Sequence, residues 1–327
     1  MEQMSRYRQP TRQTCSDGSM RRAGFELEFT GLTFAQARQG VLDVLDGTEK
    51  VKSPVETAVK TEQGTFNLEL DWALLKQVAQ EYAQVDVTPD WLDSISRLAA
   101  RVVPIELVCP PIRLDQLDTL DPVVERLRHA GAQGTDDSLI AALGVHINAE
   151  LPDLSPATIQ AYLKAYSLLQ WWLVDAHAVN LARKVSPYVD LYPEEYIDRL
   201  LTQQSASLDG IFDLYLAYNA TRNRALDLLP LLAHLDEDRV QAQVNDDRIK
   251  SRPALHYRLP NCEIERNAWD LAEEWNTWWV VEQLAADEDA MAELSRRWLS
   301  MSRPLLGVNR AEWVKGVDQW LRERGWL

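Results

Sequence analysis

A chain of 327 residues, 46% hydrophobic and 26% charged, carries enough apolar material for a sizeable core in one large domain or two smaller ones. Its formal net charge of −16 argues against non-specific nucleic-acid binding, which needs clustered Lys and Arg, and against docking on an anionic membrane. The widely spaced Cys15, Cys109 and Cys262 suggest neither a disulfide framework nor a zinc site, and the apolar runs fall short of the roughly 20 residues a membrane span needs.

Residues 1–20 are polar and aperiodic, and are expected to lack order; without the apolar core of a signal peptide, they point to a cytoplasmic location. The first strand is AGFELEF, with Phe25, Leu27 and Phe29 alternating against Glu26 and Glu28. TFAQARQGVLDVLDG spaces Phe34, Ala37, Val41 and Leu45 as a helix that stops at Gly47. GTFNLELDW alternates Phe66, Leu68, Leu70 and Trp72 with Asn67, Glu69 and Asp71, and VPIELVCPP sets Ile105 and Leu107 against Glu106. A helix follows in QLDTLDPVVERLRHAG, closed by Gly131, and LGVHINAEL alternates Val145 and Ile147 with His146 and Asn148.

From residue 152 the pattern becomes helical. Ser155 reads as an N-cap with Pro156 in the first turn of a long helix. Further helices fall in PEEYIDRLLTQ, SLDGIFDLYLAYN and RALDLLPLLAHL, the last interrupted by Pro230. RPALHYRLPN is a strand, and two more helices follow at AWDLAEEWNTWWVVEQLA and EDAMAELSRRWLS. This order predicts an α+β fold with a mostly antiparallel sheet. Residues 21–327 read as a single domain, with 152–240 as a helical subdomain within it.

The strands share one property: an apolar face backed by a face of acid, histidine or arginine. An amphipathic sheet with its outer face in water would give this pattern. The polar face of the N-terminal strands is, however, strongly acidic, with no lysine opposite. Glu26, Glu28, Glu69, Glu106 and His146 form the oxygen-rich donor set expected for Mg²⁺ or Mn²⁺, with Asp71 and Asn148 as further candidates. Two such ions commonly clamp phosphate oxygens. Arg252, His256 and Arg258 bring the opposite sign to the last strand, suited either to phosphate or to pairing with the acids across the sheet.

GFELEF, GTFNLELD, PIELVCPP, GVHIN, TRNRALDLLPLL and RPALHYRLPN, in this order between about residue 22 and about residue 285, resemble the amidoligases of the glutamine synthetase and glutamate–cysteine ligase superfamily. The resemblance implies an antiparallel, funnel-like sheet with helices packed outside, a helical insertion, and an active site inside that binds ATP and Mg²⁺. It implies an ATP-dependent carboxylate–amine ligase acting through an acyl phosphate on small-molecule or peptide carboxylates and amines. Glu26, Glu28, Glu69 and Glu106 match the metal-binding acids, His146 a position near nucleotide and metal, and Arg222 an arginine of a Thr-Arg-aromatic pattern. Arg252 and Arg258 match arginines near the phosphates, with His256 on the same face. Here Asn223 replaces the aromatic, Asp227 stands where Asn is common, and the superfamily's late Glu-Phe-Arg pattern survives only as the degraded CEIER.

The alternatives are an inactive relative that binds a nucleotide or a partner protein, and a metal-dependent phosphotransferase. Nothing in the pattern points to a protein partner or a homo-oligomer. There is no GxxxxGK[ST] phosphate loop. His177 reads as a partly buried polar residue, and His129 and His234 as helix-end residues. Arg183 and Lys184 suit either a helix C-cap or an anionic ligand, and Trp275, Trp278 and Trp279 read as core.

Overall fold

A computed structural model describes residues 6–70, 103–135, 143–184, 189–203, 206–303 and 307–327. Strand β1 (Arg22–Phe29) sends Phe25, Leu27 and Phe29 into the core and leaves Glu26 and Glu28 half-buried on its other face. Thr33 caps α1 (Phe34–Leu42) in a reciprocal pair with Gln36, which satisfies two of the free donors at the helix start. A hairpin of β2 (Thr48–Ser53) and β3 (Glu56–Lys60) leads to β4 (Thr65–Leu70). Then come β5 (Ile105–Val108), the short β6 (Ile112–Arg113) and a 3₁₀ segment over Leu114–Leu120. Helix α2 (Asp121–Ala130) closes at Gly131, whose φ of 99° suits glycine at a helix C-terminus.

After β7 (Val145–Ala149) comes the helical stretch, headed by the 21-residue α3 (Pro156–Ala176) with Ser155 as its N-cap. It continues with α4 (Leu181–Lys184), α5 (Glu194–Thr202) and α6 (Leu208–Asn219). Strand β8 (Leu226–Asp227), α7 (Leu229–Leu235) and α8 (Glu237–Gln241) precede β9 (His256–Tyr257). Helices α9 (Leu271–Ala286), α10 (Glu288–Met301) and α11 (Arg310–Glu323) follow. Among the described residues no helix is long and apolar enough to cross a membrane.

The strands form one open sheet in the order β2-β3-β4-β5-β1-β7-β9-β8, with β6 also paired to β1 and each ladder antiparallel. Helices cover its apolar face. The Tyr257 ring of β9 lies 4.8 Å from Trp278 of α9 and 6.1 Å from Tyr166 of α3, centroid to centroid. Trp275, Trp278 and Trp298 are fully buried, each an anchor whose removal would cost about 3–5 kcal/mol. Behind the sheet, Arg21 and Glu282 form a buried two-point ion pair at 2.9 Å per contact.

Several local expectations change in the tertiary structure. Residues 6–20 are ordered: Tyr7 is 1% exposed and donates to Asp121 at 2.7 Å, and Arg6 pairs with Asp121 and Asp270. Trp275 and Trp279 of α9 donate to the carbonyls of Arg8 and Gln9. Partners some 270 positions away leave no periodicity in the segment itself. Helix α1 stops at Leu42, short of Gly47. Pro230 lies in the first turn of α7 instead of interrupting it, because an N–H is not needed there. The strand expected over RPALHYRLPN contracts to His256–Tyr257, with single bridges at Ala254 and Asn261. Pro253 and Pro260, which have no N–H to donate, bracket that ladder.

Candidate functional site

The polar face of the sheet carries a graded charge. Antiparallel register sets Glu28 of β1 beside Glu106 of β5, Glu106 beside Glu69 of β4, and Glu69 beside Glu56 of β3. Four glutamates thus stand in one row, a strand spacing of about 4.8 Å apart. Glu56 escaped the sequence reading because the β2–β3 hairpin has no clean alternation. The face is also not free of lysine: Lys52 Nζ lies 2.8 Å from Glu56 Oε1 and 3.2 Å from Asn67 Oδ1. Lys52 therefore neutralises the far end of the row, away from β1.

Glu26, two residues earlier on the same face of β1, belongs to a different neighbourhood. Its Oε2 lies 2.9 Å from His146 Nδ1, and its Oε1 accepts from Asn148 Nδ2 at 2.8 Å. Arg252 Nη2 and His256 Nδ1 stand 3.6 and 3.9 Å from Oε1. His256 Nδ1 also reaches Asn148 Oδ1 at 2.8 Å and contacts Arg252 Nη2. Burial works to raise the Glu26 pKa, but His256, His146 and Arg252 together hold it well below the usual carboxylate range. Burial and the charge of Arg258 push the His256 pKa well down, against the upward pull of Glu26. With Nδ1 facing Glu26, His146 turns Nε2 toward Glu28, 3.9 Å from Oε1. A carboxylate that fixes one imidazole nitrogen leaves the other oriented as a ligand.

The basic side is built on β9 and the loop before it. Arg258 Nη2 lies 3.4 Å from Asp227 Oδ2, and Asp227 also accepts the Leu229 N–H at 3.0 Å. Burial raises the Asp227 pKa to about 6 against the lowering effect of Arg258. Arg222 sits 3.9 Å from Asp246; burial, and then the nearby Arg258 charge, depress its pKa. His256 Nε2, Arg252 Nε and Arg258 Nε are buried with no hydrogen-bond partner. The two unpaired guanidinium N–H groups favour an anionic ligand.

Ligand atoms of Glu26, His146 and His256 all lie within 4.8 Å of one another. Glu28, Glu106 and Glu69 share the face but fall outside that group, so the four matched acids form a row plus a separate Glu26 centre. Asp71 lies outside the described residues. Arg183 neither caps its helix nor faces the open sheet; it is buried and donates to the carbonyls of Leu143, Pro260 and Arg258. His177 is buried against Glu274 at 2.6 Å, with its ring 5.6 Å from that of Tyr257 and no contact to Glu26, His146 or the arginines among its hydrogen bonds. Asp227 entered the sequence reading only as a departure from a family pattern; its two-residue strand is too short for periodicity to reveal.

The donor set of carboxylate oxygens and imidazole nitrogens fits a divalent cation, and the adjoining guanidinium groups fit a polyphosphate. No curated protein and no solved structure matches the chain. The family model described as "Putative amidoligase enzyme" matches residues 19–280, which include β1 through β9 and most of α9. The chain belongs to this amidoligase enzyme family.

Proposed function

We propose that the protein is an ATP- and Mg²⁺-dependent carboxylate–amine ligase, with Mn²⁺ able to replace Mg²⁺. The observation that carries this reading is a single sheet face with an acid row at one side, a buried arginine–histidine cluster at the other, and Glu26 between them. The sheet would then be of the glutamine synthetase and glutamate–cysteine ligase type, with residues 21–327 as one catalytic unit and 152–240 as its helical subdomain.

In the reaction, a substrate carboxylate oxygen attacks the terminal phosphorus of ATP and ADP leaves. The amine nitrogen then attacks the acyl carbon, phosphate departs, and the nitrogen gives up one proton. Glu28, Glu69, Glu106 and His146 Nε2 would hold the cations, which when bound neutralise phosphate oxygens. Glu26 keeps His146 oriented. Arg252, Arg258 and Arg222 bind the phosphates, with His256 beside them, and offset the charge that develops during transfer. Holding two anions in line against their repulsion supplies the entropic part of the acceleration.

The test is incubation with Mg-ATP and pools of amino acids, amines and short peptides, reading ADP release and condensed product by mass spectrometry. Amine-dependent ADP release that disappears in Glu28→Gln and Glu69→Gln is expected. Release that never depends on an acceptor, or that survives both substitutions, would overturn the reading.

A further inference from the structure

Arg183 is a buried charge with no assigned task in the reaction. It is 3% exposed, and its hydrogen bonds all go to backbone carbonyls: Nη1 to Leu143 at 3.4 Å and to Pro260, Nη2 to Arg258 at 2.6 Å. Gly144 faces the same group. A methyl group at position 144 would stand 2.5 Å from Nη2 and 2.8 Å from Cζ, so the guanidinium can approach only because no side chain is there.

Gly144 is itself tied to the acid row. Its N–H donates to Glu28 Oε2 at 2.8 Å, and the Glu28 N–H donates to the Gly144 carbonyl at 3.0 Å. Beside it, the Val145 N–H donates to Pro260 O at 3.0 Å and the Cys262 N–H to Leu143 O at 3.2 Å. The Arg183 group thus sits where the segment leading into β7, which bonds Glu28, meets the segment leaving β9, which carries Arg258. Burying a guanidinium against carbonyls alone is unfavourable unless an opposite charge is near, and Glu28 supplies that charge through space.

We propose that Arg183 is a positioning residue that sets the spacing between Glu28 and Arg258, and so couples cation binding at the acid row to nucleotide binding at the basic cluster. The proposal rests on the ligase reading above. A conservative Arg183→Lys keeps the charge but gathers its donors on one nitrogen, so it cannot span the carbonyls divided between Nη1 and Nη2. Gly144→Ala displaces the guanidinium without removing it.

The experiment is calorimetric titration of the full chain with Mn²⁺ alone, ATP alone, and ATP in saturating Mn²⁺. Wild type, Arg183→Lys, Gly144→Ala and Lys184→Ala are compared, with folding checked by near-UV circular dichroism. In the first two variants, affinity for each ligand alone is expected to change less than about 3-fold, while the gain in ATP affinity on adding Mn²⁺ falls 10-fold or more. The exposed Lys184→Ala should match wild type. Wild-type coupling in folded Arg183→Lys or Gly144→Ala, or equal loss of every affinity, overturns the positioning role and leaves the ligase reading intact. A wild-type protein that binds neither Mn²⁺ nor ATP overturns the ligase reading, and the positioning role falls with it. Should Arg183→Lys fail to fold, Gly144→Ala alone decides.

Discussion

Asp227→Asn isolates what a buried carboxylate contributes beside the phosphate-facing arginines. Asp227 is 1% exposed, and its pKa is raised to about 6 from 3.8, burial outweighing the pull of Arg258. Between those two values the folded chain holds the proton more tightly than the unfolded chain. Stability conferred by this group is therefore full below the unfolded pKa and declines as pH rises through the folded one. A shift of about two units corresponds to about 3 kcal/mol lost between pH 4 and pH 7. Asparagine can still accept the Leu229 N–H, so its main effect is to remove the titration. Urea unfolding at half-unit steps from pH 4 to 7 gives ΔG for both proteins, and subtracting the two curves cancels the other titrating groups. The difference should move by about 3 kcal/mol in favour of Asp227→Asn as pH rises. Parallel curves within about 0.5 kcal/mol would refute the reasoning, because the group would then titrate alike folded and unfolded.

Glu282→Gln leaves Arg21 as an unpaired buried cation and turns an amide toward the Tyr162 hydroxyl and the Trp278 N–H, which donate to the carboxylate. Breaking such a pair costs about 3–5 kcal/mol. With an unfolding entropy of about 0.7 kcal/mol per kelvin for this length, the midpoint should fall by about 4–7 °C in a thermal melt. Gly18→Ala and Gly31→Ala separate strain from clash, since both positions have positive φ, 83° and 82°. Open space surrounds the first, whereas an added methyl at the second would lie 2.5 Å from the Gly131 carbonyl. Gly18→Ala should cost about 1–2 kcal/mol and Gly31→Ala about 1–3 kcal/mol more by urea unfolding; equal costs would sink the distinction.

The alternation of Phe25, Leu27 and Phe29 with Glu26 and Glu28, the Ser155 cap and the Gly131 stop were all legible locally, because each depends on residues within a turn or a strand of itself. So was the presence of acid on β4 and β5 and of Arg258 next to β9. The order of residues 6–20 was not, since its anchors are tryptophans at the other end of the chain.

Sequence by itself determined which side chains share a strand face, and through the family pattern which chemistry they suggest. Tertiary structure alone decided their neighbours. Strand period is a property of one segment, but register depends on which segments meet: it lined up Glu28, Glu106, Glu69 and Glu56, yet drew Glu26 into the company of His146, Asn148 and Arg252. Two glutamates two residues apart thereby acquired different surroundings, one within the acid row and one among histidine, asparagine and arginine side chains. No local reading of GFELEF could have separated them, because the side chains that do so arrive from segments more than 100 residues away.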